Sequence, residues 1–235
     1  MLPVAILAGG LATRLRPLTE KIPKALVEVA GEPFVFHQLK WLAQQRISHV
    51  VMCVGFMGDM VREKVGSGKR WGIRVDYSFD GNILLGTGGA LQRALPFLGE
   101  RFFVFYGDSY LPIDFLPIQQ AFFASGKLAL MTFLKNEGRW DKSNVRAENG
   151  KLITYNKRNP DDSMRHIDYG LGVLSALAFQ GRSSGEVFDL ADLYEELTEK
   201  QQLAGFEVVH RFYEIGSKQG LAETHNFLVS EKDEL

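Results

Sequence analysis

The sequence predicts an α/β fold: a doubly wound, mostly parallel mixed sheet with helices on both faces, which makes three layers. Short apolar runs alternate with helical patterns through the first 134 residues, as in parallel sheets that are covered on both sides. Two of these runs end at glycine, in Gly9-Gly10 and in Gly107-Asp108. Ligands of open α/β sheets bind at the carboxyl ends of strands, so both segments predict part of a binding site.

The individual elements follow from the spacing of apolar residues. Continuous or alternating apolar runs predict strands over 3–8, 49–55, 73–79, 102–106 and 128–134. Helical spacing predicts helices over 33–45, 59–65, 90–95 and 115–124, the third of them opened by a glycine turn at 86–89. The second half predicts a hairpin over 144–155 turning at Asn149-Gly150, strands over 167–175 and 206–211, a helix from the cap Asp189 to about 200, and a last helix over 218–229.

Composition argues against several classes of partner. The 27 Lys and Arg residues balance 28 Asp and Glu residues, and a net charge of -1 lacks the basic field of a nucleic-acid-binding protein. No apolar run approaches the roughly 20 residues of a membrane span. The N-terminus is apolar but lacks the basic lead of a signal peptide. We therefore expect a cytoplasmic protein that binds neither nucleic acid nor membrane.

Three further features of the sequence carry no function in this interpretation. Cys53 is the single cysteine and lies in an apolar run, which predicts a buried, inert thiol. The five histidines are scattered without ligand spacing, so no zinc site is expected. The chain ends Lys232-Asp233-Glu234-Leu235, the letters of an endoplasmic-reticulum retention signal. Without a secretory signal such an address is not read, so we interpret the match as coincidence.

The first glycine pair is followed by hydroxyl and cationic side chains. Gly9 and Gly10 let the backbone approach a ligand closely, because neither residue has a Cβ. Arg14, Arg16 and Lys24 supply charge for an anion such as a polyphosphate. A strand, a glycine turn and solvated cations would explain Gly-Gly alone. The Thr-Arg-Leu-Arg-Pro-Leu-Thr run and the later Pro-Lys favour the anion site.

These residues carry a family resemblance. Residues 7–24 resemble the signature loop of sugar-1-phosphate nucleotidyltransferases, G-G-x-G-T-R-L-x-P-L-T-x-x-x-P-K. The resemblance implies a Rossmann-like nucleotidyltransferase fold. Ala12 stands where the pattern has its third glycine, and alanine resists positive φ. We therefore expect the loop to take a different path at Ala12.

Two more segments resemble the nucleotide and metal parts of the family pattern. Residues 85–91 are similar to its G-T-[AG]-G-A-L segment, which contacts nucleobase and ribose, although an ordinary strand-to-helix turn would look the same. Asp108 after Gly107 matches the family's metal-binding aspartate. Residues 211–217 resemble W-x-D-I-G-T, with Glu214 in place of the second metal aspartate. A loop cap at Asp108 and a solvated acid at Glu214 are the structural alternatives.

The sugar part of the resemblance lies in two segments of the second half. Residues 155–158 and 167–173 look like the family's E-K-P and I-N-A-G-I-Y segments, which hold the sugar phosphate. Lys157 matches the lysine, although Lys157 taken alone is better explained as a solvated lysine beside an arginine. Asn156 replaces the glutamate that contacts sugar hydroxyls, and Asp168-Tyr169 replaces Asn-Ala. These exchanges change the hydrogen-bonding groups offered to the sugar.

The resemblance implies a set of roles within one nucleotidyltransferase domain over 1–235. Its nucleotide-binding part would cover about 1–134 and its sugar-phosphate-binding part about 135–235. Nucleotide contacts fall to Leu7, Ala8, Gly9, Gly10, Thr13, Gly86, Thr87 and Gly88. The catalytic cations are Arg14, on the β- and γ-phosphates, and Lys24, on the α-phosphate. Sugar-phosphate contacts fall to Asn156, Lys157, Asp168 and Gly170, and Asp108 and Glu214 would hold Mg²⁺.

The implied reaction is attack by a sugar-1-phosphate oxygen on the α-phosphorus of a nucleoside triphosphate, which expels pyrophosphate. The whole-chain pattern looks most like guanylyltransferases that act on D-glycero-D-manno-heptose 1-phosphate for bacterial surface polysaccharides. Mannose-1-phosphate guanylyltransferases and uridylyl- or cytidylyltransferases for another hexose stay open. A nucleotide-sugar glycosyltransferase would be expected to show a D-x-D motif, whereas Asp108 precedes Ser109-Tyr110. A non-catalytic nucleotide-binding module and a homodimer also stay open.

Overall fold

The structure is a computed structural model that describes residues 1–233. Glu234 and Leu235, the end of the retention-like tetrapeptide, therefore lie outside the described residues. The strands are β1 (Val4–Leu7), β2 (Glu28–Val29), β3 (Glu32–Pro33), β4 (His49–Val54), β5 (Arg74–Phe79), β6 (Arg101–Tyr106), β7 (Ser109–Tyr110), β8 (Ala129–Lys135), β9 (Val145–Glu148), β10 (Lys151–Tyr155), β11 (His166–Ser175), β12 (Leu203–Val208) and β13 (Tyr213–Glu214). The helices are α1 (Phe34–Gln44), α2 (Gly58–Val65), α3 (Gly86–Leu98), α4 (Phe115–Ser125), α5 (Leu190–Glu199) and α6 (Lys218–Asp233).

A nine-stranded mixed sheet forms the middle layer. Its main path runs β5-β4-β1-β6-β11-β8-β12, and the β9–β10 hairpin branches from β11. The four strands from β5 to β6 are parallel to one another. Strand β11 runs antiparallel to all three strands that it pairs with, β6, β8 and β9. The predicted mostly parallel mixed sheet is confirmed.

The alternation of side chains along the central strands divides the core between the two faces of the sheet. Val4 and Ile6 of β1 pack on one side with residues of α1, α2 and α4, whereas Ala5 packs on the other side with residues of α3 and α5. Strand β6 repeats the pattern, with Phe103 in the first cluster and Phe102 in the second. Because successive side chains of a strand point to opposite faces, fully apolar strands require helices on both sides.

Most predicted elements occur within a few residues of their expected bounds, and local chemistry explains the accurate ones. Asn149 and Gly150 have φ values of 52° and 72°, as a two-residue type I′ hairpin turn between β9 and β10 requires. Asp189 caps α5 through a capping box with Asp192. Leu193 and its apolar partners on α5 are buried, as the helical spacing predicts.

The predicted starts of two elements were wrong. Helix α3 begins at Gly86, where the sequence predicts a turn, because the carbonyl of Phe188 accepts from the Gly88 and Gly89 amides at 3.0 and 3.2 Å. Strand β12 begins at Leu203, three residues before its predicted start, because it pairs in parallel with β8 from Leu203 opposite Ala129. Both contacts join distant parts of the chain, so neither is visible in local spacing.

The structure bears on two expectations from the sequence, which concern the Cys53 thiol and membrane-spanning segments. Cys53 is 1% exposed, and burial raises the pKa of its thiol well above the usual value, so the thiol stays protonated. Among residues 1–233, no helix combines the length and the apolar character needed to cross a bilayer.

The contribution to stability of the core under α1 can be tested at Leu39. It is fully buried between α1 and the sheet, so Leu39→Ala should lower the free energy of unfolding by about 2–5 kcal/mol. Leu177→Ala removes the same atoms from a side chain that is 64% exposed and should change stability by less than about 0.5 kcal/mol. Urea unfolding followed by circular dichroism measures both. Equal losses in the two variants would contradict this account of the core.

Candidate active site

Two cavities meet at the carboxyl ends of β1 and β6. The first, of about 340 Å³, is lined by Leu7, Ala8, Gly9, Gly10, Lys24, Ala25, Cys53, Asp80, Leu84, Gly86, Thr87, Ala90, Tyr106, Gly107, Asp108 and Asp189. The second, of about 740 Å³, is lined by Arg14, Tyr106, Asp108, Ser109, Arg139, Trp140, Asp141, Lys142, Asn144, Lys157, Pro160, Ile167, Asp168, Tyr169, Gly170, Arg211, Phe212, Glu214, Ser217, Gln219, Gly220 and Glu223. Tyr106 and Asp108 line both cavities. The predicted nucleotide residues thus fall mainly in one cavity and the predicted sugar-phosphate residues mainly in the other.

The structure gives different reasons for glycine at positions 9 and 10 of the first loop. A Cβ at Gly9 would lie 2.9 Å from the backbone nitrogen of Gly55, so the chain itself requires glycine there. A Cβ at Gly10 would have no atom within 4 Å. The absent side chain of Gly10 therefore leaves open space beside the first cavity, which a ligand can use.

Ala12 adopts the left-handed conformation that the sequence analysis expected it to avoid. Its φ is 51° and its ψ is 42°, so the expectation of a different backbone path at this residue was wrong. Its carbonyl accepts from the Thr19 hydroxyl at 2.7 Å and from the Leu15 amide at 3.2 Å. These bonds stabilise a conformation that costs alanine roughly 1–2 kcal/mol. The turn directs Arg14 into the second cavity, whereas Thr13 is exposed and lines neither cavity.

The second glycine segment packs against another part of the chain. A Cβ at Gly86 would lie 2.5 Å from the Phe188 carbonyl, and a Cβ at Gly88 would overlap the Phe188 ring. The Thr87 hydroxyl accepts from the Leu190 amide at 2.7 Å, next to the cap of α5. Gly86 and Thr87 still line the first cavity, whereas Gly88 lies beneath Phe188 and lines neither. Packing against Phe188 therefore accounts for Gly88, and the same packing together with a φ of 73° accounts for Gly86.

Asp80 is a site residue that sequence reasoning missed. It follows β5, is 6% exposed and lines the first cavity. Its Oδ2 accepts from the Leu85 amide at 3.2 Å. Burial raises the pKa of its carboxyl, and the Leu85 amide and the charge of Arg93 oppose that rise. An acid directly after a parallel strand is the signal that identified Asp108, and the same signal could have found Asp80.

Lys24 and Asp108 form an ion pair between the two cavities. The Lys24 Nζ lies 2.9 Å from the Asp108 Oδ2, and the side chains are 21% and 28% exposed. Tyr106 borders both cavities beside them, and burial raises the pKa of its phenol well above the usual value. The junction therefore combines one cation, one anion and a neutral hydroxyl.

Three charged groups converge around Gly216. The position of a Cβ on this glycine lies 2.8 Å from the Glu214 Oε2, 3.2 Å from the Asp108 Oδ2 and 3.2 Å from an Arg14 terminal nitrogen. The two carboxylate oxygens, at 2.8 and 3.2 Å from one point, are thus no more than 6.0 Å apart. Arg14 has no hydrogen-bond or ion-pair partner among residues 1–233.

The donors around Gly216 fit a magnesium ion that shares its coordination with substrate. Mg²⁺ is usually bound through one or two carboxylates, waters and substrate phosphates rather than by an all-protein cage. Asp108 and Glu214 bring two carboxylate oxygens to within 6.0 Å of each other beside Gly216. Within residues 1–233, no group of three or more His, Cys, Asp or Glu side chains could hold a metal by itself. Any metal here therefore needs further oxygens from water or ligand.

Asp168 lies in the second cavity on a distorted part of β11. The register of β11 against β8 shifts between Asp168 and Gly172, and Gly170 has a φ of 93°. The Asp168 Oδ1 accepts from the Gly170 amide at 2.9 Å, which stabilises the bulge. Burial raises the pKa of the Asp168 carboxyl, and the Gly170 amide and the charge of Lys157 oppose that rise. Asn156 lines neither cavity; its side-chain oxygen accepts from the Asn159 amide at 2.7 Å.

The outer part of the second cavity contains cationic and aromatic residues to which sequence reasoning gave no role. The Trp140 and Phe212 rings lie 5.6 Å apart, and the Arg211 guanidinium lies 5.9 Å from the Trp140 ring. Arg139 and Lys142 flank Trp140 on the segment between β8 and β9. No motif marks that segment, which approaches 211–212 only in the folded chain.

A glycine-bordered cavity at the ends of parallel strands, with cations beside it, is typical of nucleotide-binding α/β proteins. Comparison of the sequence with known families assigns the chain to a narrower class of protein. Residues 4–140 match the family model described as Nucleotidyl transferase, and this chain belongs to that family. The resemblance inferred from the first loop is thereby confirmed at the level of the family.

Several known proteins are similar to this chain. Mannose-1-phosphate guanyltransferase beta-B of Xenopus laevis is 28% identical over 217 residues, which are 90% of this chain and 60% of the relative. N-acetylmuramate alpha-1-phosphate uridylyltransferase of Neisseria meningitidis is 37% identical over 111 residues, which are 47% and 48% of the two chains. D-glycero-alpha-D-manno-heptose 1-phosphate guanylyltransferase of Campylobacter jejuni is 33% identical over 109 residues, 46% and 48% of the chains. This chain thus spans about 60% of the Xenopus relative.

A solved structure shows the same fold. HddC from Yersinia pseudotuberculosis, complexed with GMP-PN, superposes with a TM-score of 0.79 at 21% identity. The alignment covers 97% of this chain and 100% of HddC. The predicted nucleotidyltransferase fold is confirmed by this likeness.

The Lys24–Asp108 pair should add little stability in the absence of ligand. Both side chains are partly solvated, so a double-mutant cycle of Lys24→Ala and Asp108→Ala should give a coupling of about 0.2–1 kcal/mol. Urea unfolding of the wild type, both single variants and the double variant measures this coupling. A coupling of about 3 kcal/mol or more would show a desolvated pair that ligands cannot readily open.

Proposed function

We propose that this chain transfers a nucleotidyl group from a nucleoside triphosphate to a sugar 1-phosphate and releases pyrophosphate. The observation that carries the proposal is the pair of cavities that meet at Tyr106 and Asp108, with Lys24 beside the first and Arg14 beside the second. A reaction between two phosphorylated substrates needs two adjoining spaces with cations where they meet. Membership of the Nucleotidyl transferase family supports the same reaction class.

The proposed chemistry consists of positioning and charge neutralisation. A phosphate monoester is already anionic at neutral pH, so its oxygen can attack without a general base. Lys24 would neutralise the α-phosphate, and Arg14 the departing β- and γ-phosphates. Lys157 lines the second cavity, where it would hold the incoming sugar phosphate.

The proposed magnesium site is formed by Asp108 and Glu214 around Gly216. A bound Mg²⁺ would supply Lewis-acid charge neutralisation for the reacting phosphates. Asp108 is ion-paired with Lys24 in this structure. Phosphate oxygens can replace that carboxylate as the partner of Lys24, which would free Asp108 for the metal.

We propose guanine as the base, and Asp80 supports the choice. Guanine presents two adjacent donors, N1–H and the N2 amino group, which match the two oxygens of one carboxylate. Asp80 is a buried carboxylate in the first cavity, and among residues 1–233 the one donor to its carboxylate oxygens is the Leu85 amide, on Oδ2. Uracil offers a single ring N–H donor, so it would donate to only one oxygen of the carboxylate.

We propose D-glycero-α-D-manno-heptose 1-phosphate as the acceptor. The sequence pattern and the Campylobacter relative support this sugar, whereas the Xenopus relative supports mannose 1-phosphate as the alternative. The Neisseria relative keeps a uridylyltransferase open. The product would be a nucleotide sugar made in the cytoplasm for surface polysaccharide synthesis.

Pyrophosphate release tests the proposed function directly. The purified protein is incubated with Mg²⁺, each of GTP, UTP, CTP, ATP and dTTP, and a panel of sugar 1-phosphates. Release that requires both a triphosphate and a sugar 1-phosphate is expected, and the fastest pair should be GTP with the heptose. Release with no pair, despite binding of a triphosphate, would replace the proposal with a non-catalytic binding module.

The two cations can be tested against neighbouring cations of the same loop. Arg14→Ala and Lys24→Ala should each lower kcat/KM by about 100-fold or more, because each charge acts on phosphate in the transition state. Arg16→Ala and Lys21→Ala are matched controls, since neither residue lines either of the two cavities, and they should retain near-normal rates. Near-normal turnover of the Arg14 or Lys24 variant would remove that residue from the proposed mechanism.

Asp80→Asn tests the choice of base. The amide keeps the shape of the side chain but offers one acceptor and one donor group, so kcat/KM for GTP should fall about tenfold or more. The rate with UTP should change less, so the ratio of the GTP and UTP rates should fall. An unchanged ratio would show that Asp80 does not contact the base.

A further inference from the structure

Glu214 is bonded to the beginning of α6 as well as facing the reaction centre. Its Oε2 accepts from the Ser217 amide at 3.1 Å and from the Gly216 amide, and its Oε1 accepts from the Ser217 hydroxyl at 2.5 Å. The Ser217 Oγ in turn accepts from the Gly220 amide at 2.9 Å. One carboxylate therefore fixes the 216–217 turn that lies against Arg14 and Asp108.

Gly220 leaves the space in which this carboxylate lies. A Cβ at Gly220 would overlap both the Oε1 and the Cδ of Glu214. It would also lie 2.7 Å from the Glu214 backbone carbonyl oxygen. Glycine has low helix propensity, so its presence in the first turn of α6 needs a reason, and the seated carboxylate supplies one.

We propose that Gly220 is a positioning residue for the nucleotidyl-transfer site. By admitting the long side chain of Glu214, it keeps the Oε2 directed at the space shared with Asp108 and Arg14. An aspartate at 214 has one methylene less, so its carboxylate would stop short of the volume that Gly220 leaves free. Glu214 and Gly220 therefore act as a matched pair. This inference rests on the proposed function for its effect on turnover.

The expected effect of Gly220→Ala on stability is opposite in sign to the effect of helix propensity. Propensity alone would raise the Tm when glycine becomes alanine in α6. The proposal predicts a lower Tm, because the Glu214 carboxylate is displaced from its donors. Ala222→Gly is a matched control at an exposed position of the same helix, and it should lower the Tm slightly by propensity alone.

A double-mutant cycle with Glu214→Asp isolates the side-chain contact. The 2.7 Å approach to the backbone carbonyl is present with either residue at 214, so its cost cancels in the cycle. Gly220→Ala should lower kcat at least tenfold more in the Glu214 background than in the Glu214→Asp background. Equal losses in both backgrounds would overturn the pairing.

Thermal shifts with Mg²⁺ and inorganic pyrophosphate distinguish a positioning role of Gly220 from a purely structural one. The Tm of each variant is measured with and without this probe, which requires no knowledge of the base or the sugar. The rise in Tm that the probe causes should shrink in Gly220→Ala, remain near wild type in Ala222→Gly, and recover in part in Gly220→Ala with Glu214→Asp. A lower Tm with an unchanged rise would show a structural role only and overturn the positioning proposal.

Failure of the proposed function gives a different result. In that case the wild type releases no pyrophosphate with any substrate pair and shows no rise in Tm with the probe. The four-protein Tm cycle without ligand still reports whether Gly220 admits the Glu214 carboxylate. Additive Tm changes in that cycle would overturn the pairing whatever the activity.

Discussion

The close approach of three strand ends is the constraint on which the rest of this structure depends. A Cβ at Gly9 would meet the Gly55 backbone at 2.9 Å, and a Cβ at Gly107 would meet the Leu7 carbonyl at 2.6 Å. The Gly107 amide donates to the Leu7 carbonyl at 2.9 Å. Because β1, β4 and β6 end this tightly, the loops that follow them must diverge beyond the same small area. Asp108 and Arg14, which follow β6 and β1 in the chain, are brought close together for this reason.

Local chemistry made much of the fold predictable. Parallel strands buried on both faces leave continuous apolar runs, and an Asn-Gly pair specifies its turn without tertiary help. The start of α3 was not predictable, because the Phe188 carbonyl that caps it lies about a hundred residues away in the chain. The conformation of Ala12 was also hidden, since its cost is offset by a bond from Thr19.

The residues of the candidate site also divide into those that local sequence predicts and those that only the folded chain brings together. Residues in contiguous motifs, such as Gly10 and Lys24, could be proposed from spacing and resemblance, and they line the first cavity. Asp80 follows β5 directly and could have been found by the same reasoning as Asp108. Trp140 could not, because its aromatic neighbour Phe212 comes from a distant segment of the chain. Packing alone explains Gly88, so a glycine in a motif does not by itself mark a ligand contact.

The antiparallel strand β11 has a consequence for how the chain folds. It lies between β6 and β8, so a strand from the second half of the chain pairs with two strands from the first half. The paired residues of β6 and β11 lie about seventy residues apart in the chain. Pairs this distant raise the contact order, which slows folding. The first 134 residues made alone would present β6 as an unpaired edge and would be prone to association. The segments that line the two cavities are therefore held by one continuous sheet.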